Sequence, residues 1–363
     1  MIYIRPLPLA DVCRPEGALP LAGGPLRFDR VEILERGRAP QVLPVSELDP
    51  GDLAPLTAPR AALAGLSLDA PRLMGILNVT PDSFSDGGRF AALPDALAQA
   101  RALVEAGADI LDIGGESTRP GAAEVDPAEE IARTAPVIEL LRGQGLEIPV
   151  SIDTRKAPVA EAALKAGADL VNDVAALGWD AGMADVVASC GAPVCLMHAQ
   201  GTPQTMQADP RYDDVLLDVY DWLAERIRAA EAAGIARARI LTDPGIGFGK
   251  SVEHNLALLR RLSLFHGLGC PILLGVSRKR FIGTLAAEPV ADRRMPGSVA
   301  VALAGAAQGA QILRVHDVAE TRQALTLWRA VTAEAAGTDG PTGAGGPTGT
   351  GGATGTTSQR RQA

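Results

Sequence analysis

Aromatic residues are scarce: Phe, Tyr and Trp make up 3% of the 363 residues, which argues against an aromatic-rich β-sandwich. Cysteine is scarcer still, with only Cys13, Cys190, Cys195 and Cys270 and no CxxC pair. A disulfide framework or thiolate zinc site is therefore disfavoured, and these read as ordinary buried thiols. Positive charge is also short. Lys and Arg number 34 against 43 Asp and Glu, a formal net charge of -9 with no lysine-rich patch. General nucleic-acid binding is not expected, although a local basic site for a phosphate is compatible with this balance. No apolar run approaches the length of a membrane span. The opening MIYIRPLPLADVCRPEG lacks a basic segment followed by an apolar core, so no signal peptide is expected and the expected location is cytoplasmic.

What the chain does hold is Ala, Leu and Val, within an apolar share of 47%. That length and composition suit one large helix-rich α/β domain, or two ordinary ones. Residues 1–70 are rich in Pro, Leu and charge, with one strand-like run, RFDRVEIL, at Arg27 to Leu34. They read as a small N-terminal extension of unknown role. Residues 71–336 carry the organised core. Residues 337–363 are rich in Gly, Thr and Pro, cannot build a core, and read as a disordered tail.

The core repeats one design. EAGADILDI, KAGADLVND and AQGAQILRV each end a helix at Gly and pass almost at once into a Leu- or β-branched-rich strand. Short apolar runs without polar alternation indicate strands covered on both faces, as in parallel sheets. Eight such strands are expected near Leu73–Val79, Ile110–Gly114, Val150–Asp153, Leu170–Asp173, Val194–Met197, Ile240–Thr242, Ile272–Gly275 and Ile312–Val315. Eight alternating β/α units match a TIM (β/α)8 barrel in number and length; a doubly wound sheet is the fallback.

In a barrel the strand ends matter, because active sites gather at the carboxyl rim. The stretch MGILNVTPDSFSDGG runs from strand to polar loop at Asn78 and carries Asp86. GGESTRPG offers Thr118, Arg119 and Pro120, hydroxyl and guanidinium donors suited to an anion. Later strands end at Asp153, at Asn172 and Asp173, at Met197 and His198, and at Asp243. Each alone could cap a helix or satisfy backbone groups. TDPGIGFGK exposes Phe248 between glycines, at a cost in solubility unless something packs on it. SRKRFIG places Arg278, Lys279 and Arg280 directly after a strand, and RVHDV puts Arg314 and His316 on one side of the last strand. Together these would give one mouth with acids and amides (Asp153, Asn172, Asp243), a lysine (Lys279) and an anion corner (Asn78, Thr118, Arg314, His316). Acid and amide groups side by side recognise a planar heterocycle with an amino and a lactam edge, and the anion corner suits a diphosphate.

GILNVTPDSFSDGG, DIGGESTRPG, SIDT, ND, MH, DPGIGFGK, SRKRFIG and RVHD occur in order at the strand ends. In these motifs, from Met74 to about Ala333, the chain resembles the dihydropteroate synthase family of folate biosynthesis. The resemblance implies a transferase condensing 7,8-dihydropterin-6-ylmethyl diphosphate with p-aminobenzoate to 7,8-dihydropteroate, releasing diphosphate. It also implies small-molecule substrates, Mg²⁺ as cofactor with Asn78 as its ligand, sulfonamides as inhibitors, and a homodimer. Asp153, Asn172, Met197, Asp243 and Lys279 would bind the pterin. Asn78, Thr118, Arg314 and His316 would meet the diphosphate, and Thr118, Arg119, Pro120 and Phe248 the p-aminobenzoate. Asp86, Arg119 and Lys279 would act in catalysis. One departure is Arg280, where some members carry a serine after the lysine, so the p-aminobenzoate carboxylate contact cannot be assigned to that serine here. Two rival expectations share the barrel: a pterin-binding corrinoid methyltransferase and a non-catalytic pterin-binding paralogue.

Overall fold

A computed structural model of the chain describes residues 1–9, 14–79, 88–117, 124–201, 206 and 209–332. The first part forms β1 (Ile2–Pro6), β2 (Leu19–Pro20), β3 (Arg27–Phe28), β4 (Arg30–Glu35), β5 (Gln41–Pro44) and α1 (Pro50–Thr57). The main sheet follows: β6 (Arg72–Asn78), α2 (Gly88–Glu105), β7 (Ile110–Gly114), α3 (Pro127–Gly143), β8 (Val150–Asp153), α4 (Ala157–Lys165), β9 (Leu170–Asp173), α5 (Met183–Cys190) and β10 (Val194–Met197). Then come α6 (Val215–Ala232), β11 (Ile240–Asp243), α7 (Val252–Arg260), β12 (Leu273–Gly275), α8 (Arg280–Leu285), α9 (Met295–Ala306), β13 (Ile312–Val315) and α10 (Val318–Thr332). No helix among the described residues is long and apolar enough to cross a membrane.

The eight strands β6 to β13 pair in parallel, in the order β11-β10-β9-β8-β7-β6-β13-β12. The ring closes where Thr242 bridges to Ile272 and its N–H donates to the Pro271 carbonyl at 2.9 Å. This is the expected barrel, and five of the eight expected strand spans match to the residue. Alternation explains the all-apolar look of the strands. Leu77, Leu111, Ile113, Ile152, Val171, Leu196 and Leu313 face the helices in the large outer core. Met74, Ile110, Leu170, Cys195, Leu241, Leu273 and Ile312 form a separate cluster inside the barrel, near the strands' amino ends.

The repeated AGAD sequence locks neighbouring strands at that lower end. The Asp109 carboxylate accepts the Leu73 N–H at 2.7 Å, and Asp169 accepts that of Val150 at 2.8 Å. Gln311 does the same for Ile272 at 2.8 Å, which is why the third copy reads QGAQ. Gly107 and Gly167 turn at φ 97° and 110°, and their carbonyls take Arg322 of α10 and Arg142 of α3, which also pair with Asp109 and Asp169.

Residues before β6 are built into this body. Leu63 and Leu68 join the inner barrel cluster and plug its lower end. β1, β4 and β5 form an antiparallel sheet; Tyr3 and Leu34 enter the outer core, and the Tyr3 hydroxyl donates to Asp221 of α6 at 2.8 Å. Glu32 takes Arg5 at 2.7 Å and Arg261 at 3.1 Å. The expected single run Arg27 to Leu34 is broken at Asp29: β3 pairs with β2, whereas β4 pairs with β1 and β5. The expectation of buried thiols holds for Cys195 and Cys270. Cys190 is exposed, because it ends α5 instead of entering β10. The 337–363 tail and Cys13 lie outside the described residues.

Candidate active site at the carboxyl rim

Above the apolar layer the barrel interior turns polar, because strand positions two residues on carry Asp112, Asp153, Asn172, Asp243 and Arg314. Register sets them in a ring: Asn78 lies beside Gly114, Gly114 beside Asp153, Asp153 beside Asn172, Met197 beside Asp243, and Gly275 beside Arg314. The glycines keep the ring open. A Cβ on Gly114 would lie 3.8 Å from Asn78 Oδ1 and 3.5 Å from Asp153 Cβ, and one on Gly275 would lie 3.7 Å from Asp243 Oδ2.

Arg314 organises the centre. Its Nε donates to Asp112 at 2.5 Å and its Nη2 to Asp153 at 2.7 Å, while Asn172 Nδ2 donates to Asp112 at 3.2 Å. Burial works against the guanidinium charge, but Asp112 and Asp153 outweigh it and hold the pKa above the ordinary arginine value. Burial pushes the Asp153 carboxyl up to about 7, against the pull of Arg314 and with help from Asp112. It raises Asp243 as well, opposed by Lys279, and lowers Lys279 to about 8, opposed by Asp243. Among the described residues, two buried oxygens, Asp112 Oδ1 and Asp153 Oδ1, have no hydrogen-bond partner, which leaves acceptors for a donor-bearing ligand.

The glycine-rich loop after β11 forms one wall. Lys279 donates to the Ile246 carbonyl and lies 4.5 Å from the centre of the half-buried Phe248 ring. Of the three cations in SRKRFIG only Lys279 serves this ring. Arg278, at φ 58°, pairs with Asp317 and Asp292, and Arg280 is exposed at the start of α8. His316 sits at the rim with Nδ1 3.0 Å from Ser277 Oγ. Met197 is buried at the end of β10. Asp173 takes the bland role: its carboxylate accepts the N–H groups of Ala175 and Leu177 at 2.8 and 2.6 Å and shapes the next turn. His198 is likewise internal, stacked edge-on against Trp222 with ring centres 4.8 Å apart. A cavity of about 230 Å³, lined by Arg155, Trp179, Met206, Trp222 and Phe248 among others, opens beside this wall.

The family model for pterin binding enzymes matches residues 74–316. Dihydropteroate synthase of Escherichia coli K12 is 49% identical over 265 residues, spanning 73% of this chain and 93% of the relative. That of Neisseria meningitidis serogroup B is 51% identical over 271 residues, spanning 73% and 94%. The chain belongs to the dihydropteroate synthase family. Among solved structures, Xanthomonas albilineans dihydropteroate synthase with 4-aminobenzoic acid aligns with a TM-score of 0.71 at 52% identity, covering 76% of this chain and 98% of that one. A structure from the same organism in complex with 7,8-dihydropteroate aligns at 0.69 and 49% identity, covering 76% and 99%. Relatives matched over nearly their full length favour the synthase reading over a corrinoid methyltransferase.

Within this family framework, Asp86, Thr118, Arg119 and Pro120 lie outside the described residues. The stems on either side of 118–123 are described, and they meet at a buried charge cluster. Lys156 Nζ donates to Glu116 at 2.5 Å, Glu130 at 2.7 Å and the Val125 carbonyl at 2.6 Å, while Arg155 pairs with Glu116 at 3.0 Å. Sequence reasoning missed Asp112, the fully buried partner of Arg314. Its signal was parity: in ILDIG an acid stands two residues before Gly114, on the same inward face of a strand otherwise apolar.

Proposed function

We propose that the chain condenses 7,8-dihydropterin-6-ylmethyl diphosphate with p-aminobenzoate, giving 7,8-dihydropteroate and diphosphate. One observation carries this reading: a buried ring of acids and an amide, with acceptor oxygens left over, beside two cations at the mouth of a barrel of this family. The pterin enters the polar layer, where Asp243 accepts from its amino and lactam N–H groups. Lys279 donates to the ring carbonyl and nitrogen, and Asp153, Asn172 and Met197 complete the pocket. The bond from the methylene carbon to the diphosphate oxygen breaks with its electron pair leaving on oxygen. The aniline nitrogen supplies the pair for the new C–N bond and then loses a proton. The pterin ring stabilises the cationic carbon, so no protein nucleophile is required.

Thr118, Arg314 and His316 meet the departing diphosphate, and Thr118, Arg119, Pro120 and Phe248 hold the p-aminobenzoate ring. Asp86 and Arg119 exclude water from the cationic carbon, which water would otherwise capture. Mg²⁺ belongs to the same proposal. Among the described residues no group of three or more His, Cys, Asp or Glu is placed to hold a metal, and Asn78 contributes one rim oxygen. That donor set fits an ion held mainly by phosphate oxygens and water, with Asn78 as its protein ligand. When bound, Mg²⁺ supplies neutralising charge for the diphosphate. A homodimer and a cytoplasmic location complete the reading, on the family resemblance.

The test is turnover. Purified protein with both substrates and Mg²⁺ is expected to form dihydropteroate, measured by chromatography. Folded protein that binds the pterin without forming product would point instead to a non-catalytic paralogue.

A further inference from the structure

A lysine that the proposed reaction does not use holds the glycine-rich loop from behind. Lys250 is 3% exposed, and its amine has three acceptors: His198 Nδ1 at 2.9 Å, the Phe248 carbonyl at 3.0 Å and the His198 carbonyl at 3.4 Å. Burial pulls its pKa down and the Asp243 charge opposes this, yet three acceptors match the three donors of the charged form. His198 can accept only with Nδ1 unprotonated, and burial keeps its ring neutral, with a pKa lowered to about 2. The loop between has no slack. A Cβ on Gly245 would fall 1.8 Å from the His198 carbonyl oxygen, so only glycine passes there, at φ 67°. Further along, the Tyr212 hydroxyl donates to the Gly249 carbonyl at 2.8 Å and Asn255 accepts the Gly247 N–H at 2.7 Å. Phe248 sits between these ties.

We propose that Lys250 is a positioning residue for the aniline substrate: by joining the Phe248 and His198 carbonyls it fixes the aromatic wall on which p-aminobenzoate stacks. This rests on the proposed synthase reading and deepens it. The pterin takes its contacts from strand ends and Lys279, so the loss of Lys250 separates the two substrates. Partners that orient metal ligands from behind matter by about tenfold to a hundredfold, and the same scale is expected of a residue that orients an aromatic wall.

Lys250→Met keeps an unbranched side chain one atom shorter and removes the donors. The expected result is a KM for p-aminobenzoate raised roughly 10–100-fold, with the dissociation constant for pterin diphosphate changed less than about threefold. Tyr212→Phe removes one neutral hydrogen bond from the other end of the same loop and is expected to raise that KM by about threefold to tenfold. ¹⁵N NMR of the wild type should show His198 with Nδ1 bare and Nε2 protonated. Equal weakening of both substrates by Lys250→Met, an unchanged p-aminobenzoate KM, or a proton on His198 Nδ1 would each overturn the proposal. If Lys250→Met does not fold, an unchanged KM in Tyr212→Phe overturns it. A wild type without turnover sinks the synthase reading and this one with it; an active wild type with an indifferent Lys250→Met sinks this one alone.

Discussion

Replacing Asp112 by asparagine tests the account at its least obvious point. Asp112 is fully buried, and one of its oxygens receives both Arg314 at 2.5 Å and Asn172 at 3.2 Å. The guanidinium stays charged and still donates to the amide oxygen, but losing the anionic partner removes part of the about 1.5–3 kcal/mol of a charged hydrogen bond, roughly 1–1.5 kcal/mol, from the hold on Arg314. At about 1.4 kcal/mol per decade, that predicts pterin binding weaker by roughly 5–12-fold. The other oxygen, Asp112 Oδ1, accepts no hydrogen bond from the described residues, so the new amide N–H₂ would replace an unpaired acceptor with a buried donor. An unsatisfied buried donor costs about 1–3 kcal/mol, and the melting temperature should fall by roughly 2–10 °C. Calorimetric titration with the pterin diphosphate and a thermal scan measure both. Affinity within twofold of wild type would refute the idea that Asp112 sets Arg314 for the ligand.

Lys279→Ala should weaken pterin binding by about 10–100-fold, the value of a charge-assisted hydrogen bond, yet leave melting unchanged or higher because a desolvated charge is gone; wild-type kinetics in this variant would disprove the lysine's role. Because burial holds the Lys279 amine near 8, the contribution of Lys279 to pterin affinity should be full below neutral pH and decline as pH rises through about 8. Stability has the opposite sign: between the folded pKa of about 8 and the ordinary 10.5 the folded state has shed a proton that the unfolded chain keeps, so this group favours folding as pH rises. Urea midpoints of wild type and Lys279→Ala across that window check the direction. Leu63→Ala uncaps the lower end of the barrel and should cost about 2–5 kcal/mol of stability with kcat unchanged; a chain that melts normally would show that Leu63 does not plug the interior.

Much of this architecture was readable in the residues. Doubly covered strands leave an unmistakable run of Leu, Ile and Val, so β7, β8, β9, β10 and β13 could be placed to the residue, and their polar ends marked the rim. What could not be read were choices made by packing. The sequence motifs favour Asn172 over its neighbour Asp173, but the physical reason is alternation, which sends Asn172 inward and leaves Asp173 to shape a turn. The motifs likewise favour Lys279 within the run Arg278, Lys279 and Arg280, but the reason is structural: the positive φ of Arg278 and its pairing with Asp317 leave Lys279 as the cation this loop gives the site. Residues 1–70 gave no periodic pattern because their elements are short, and the plug formed by Leu63 and Leu68 depends on partners far along the chain. Asp112 was hidden by its apolar neighbours, where a single inward acid changes a strand's role without changing its pattern.

The most direct measurement is a crystal structure of the protein with a bound pterin. The account predicts the pyrimidine edge against Asp153, Asn172 and Asp243 inside the barrel rim, with the Lys279 ammonium turned from the Ile246 carbonyl to the ring. A pterin found instead in the cavity walled by Trp179 and Trp222, with Asp243 and Lys279 untouched, would contradict it.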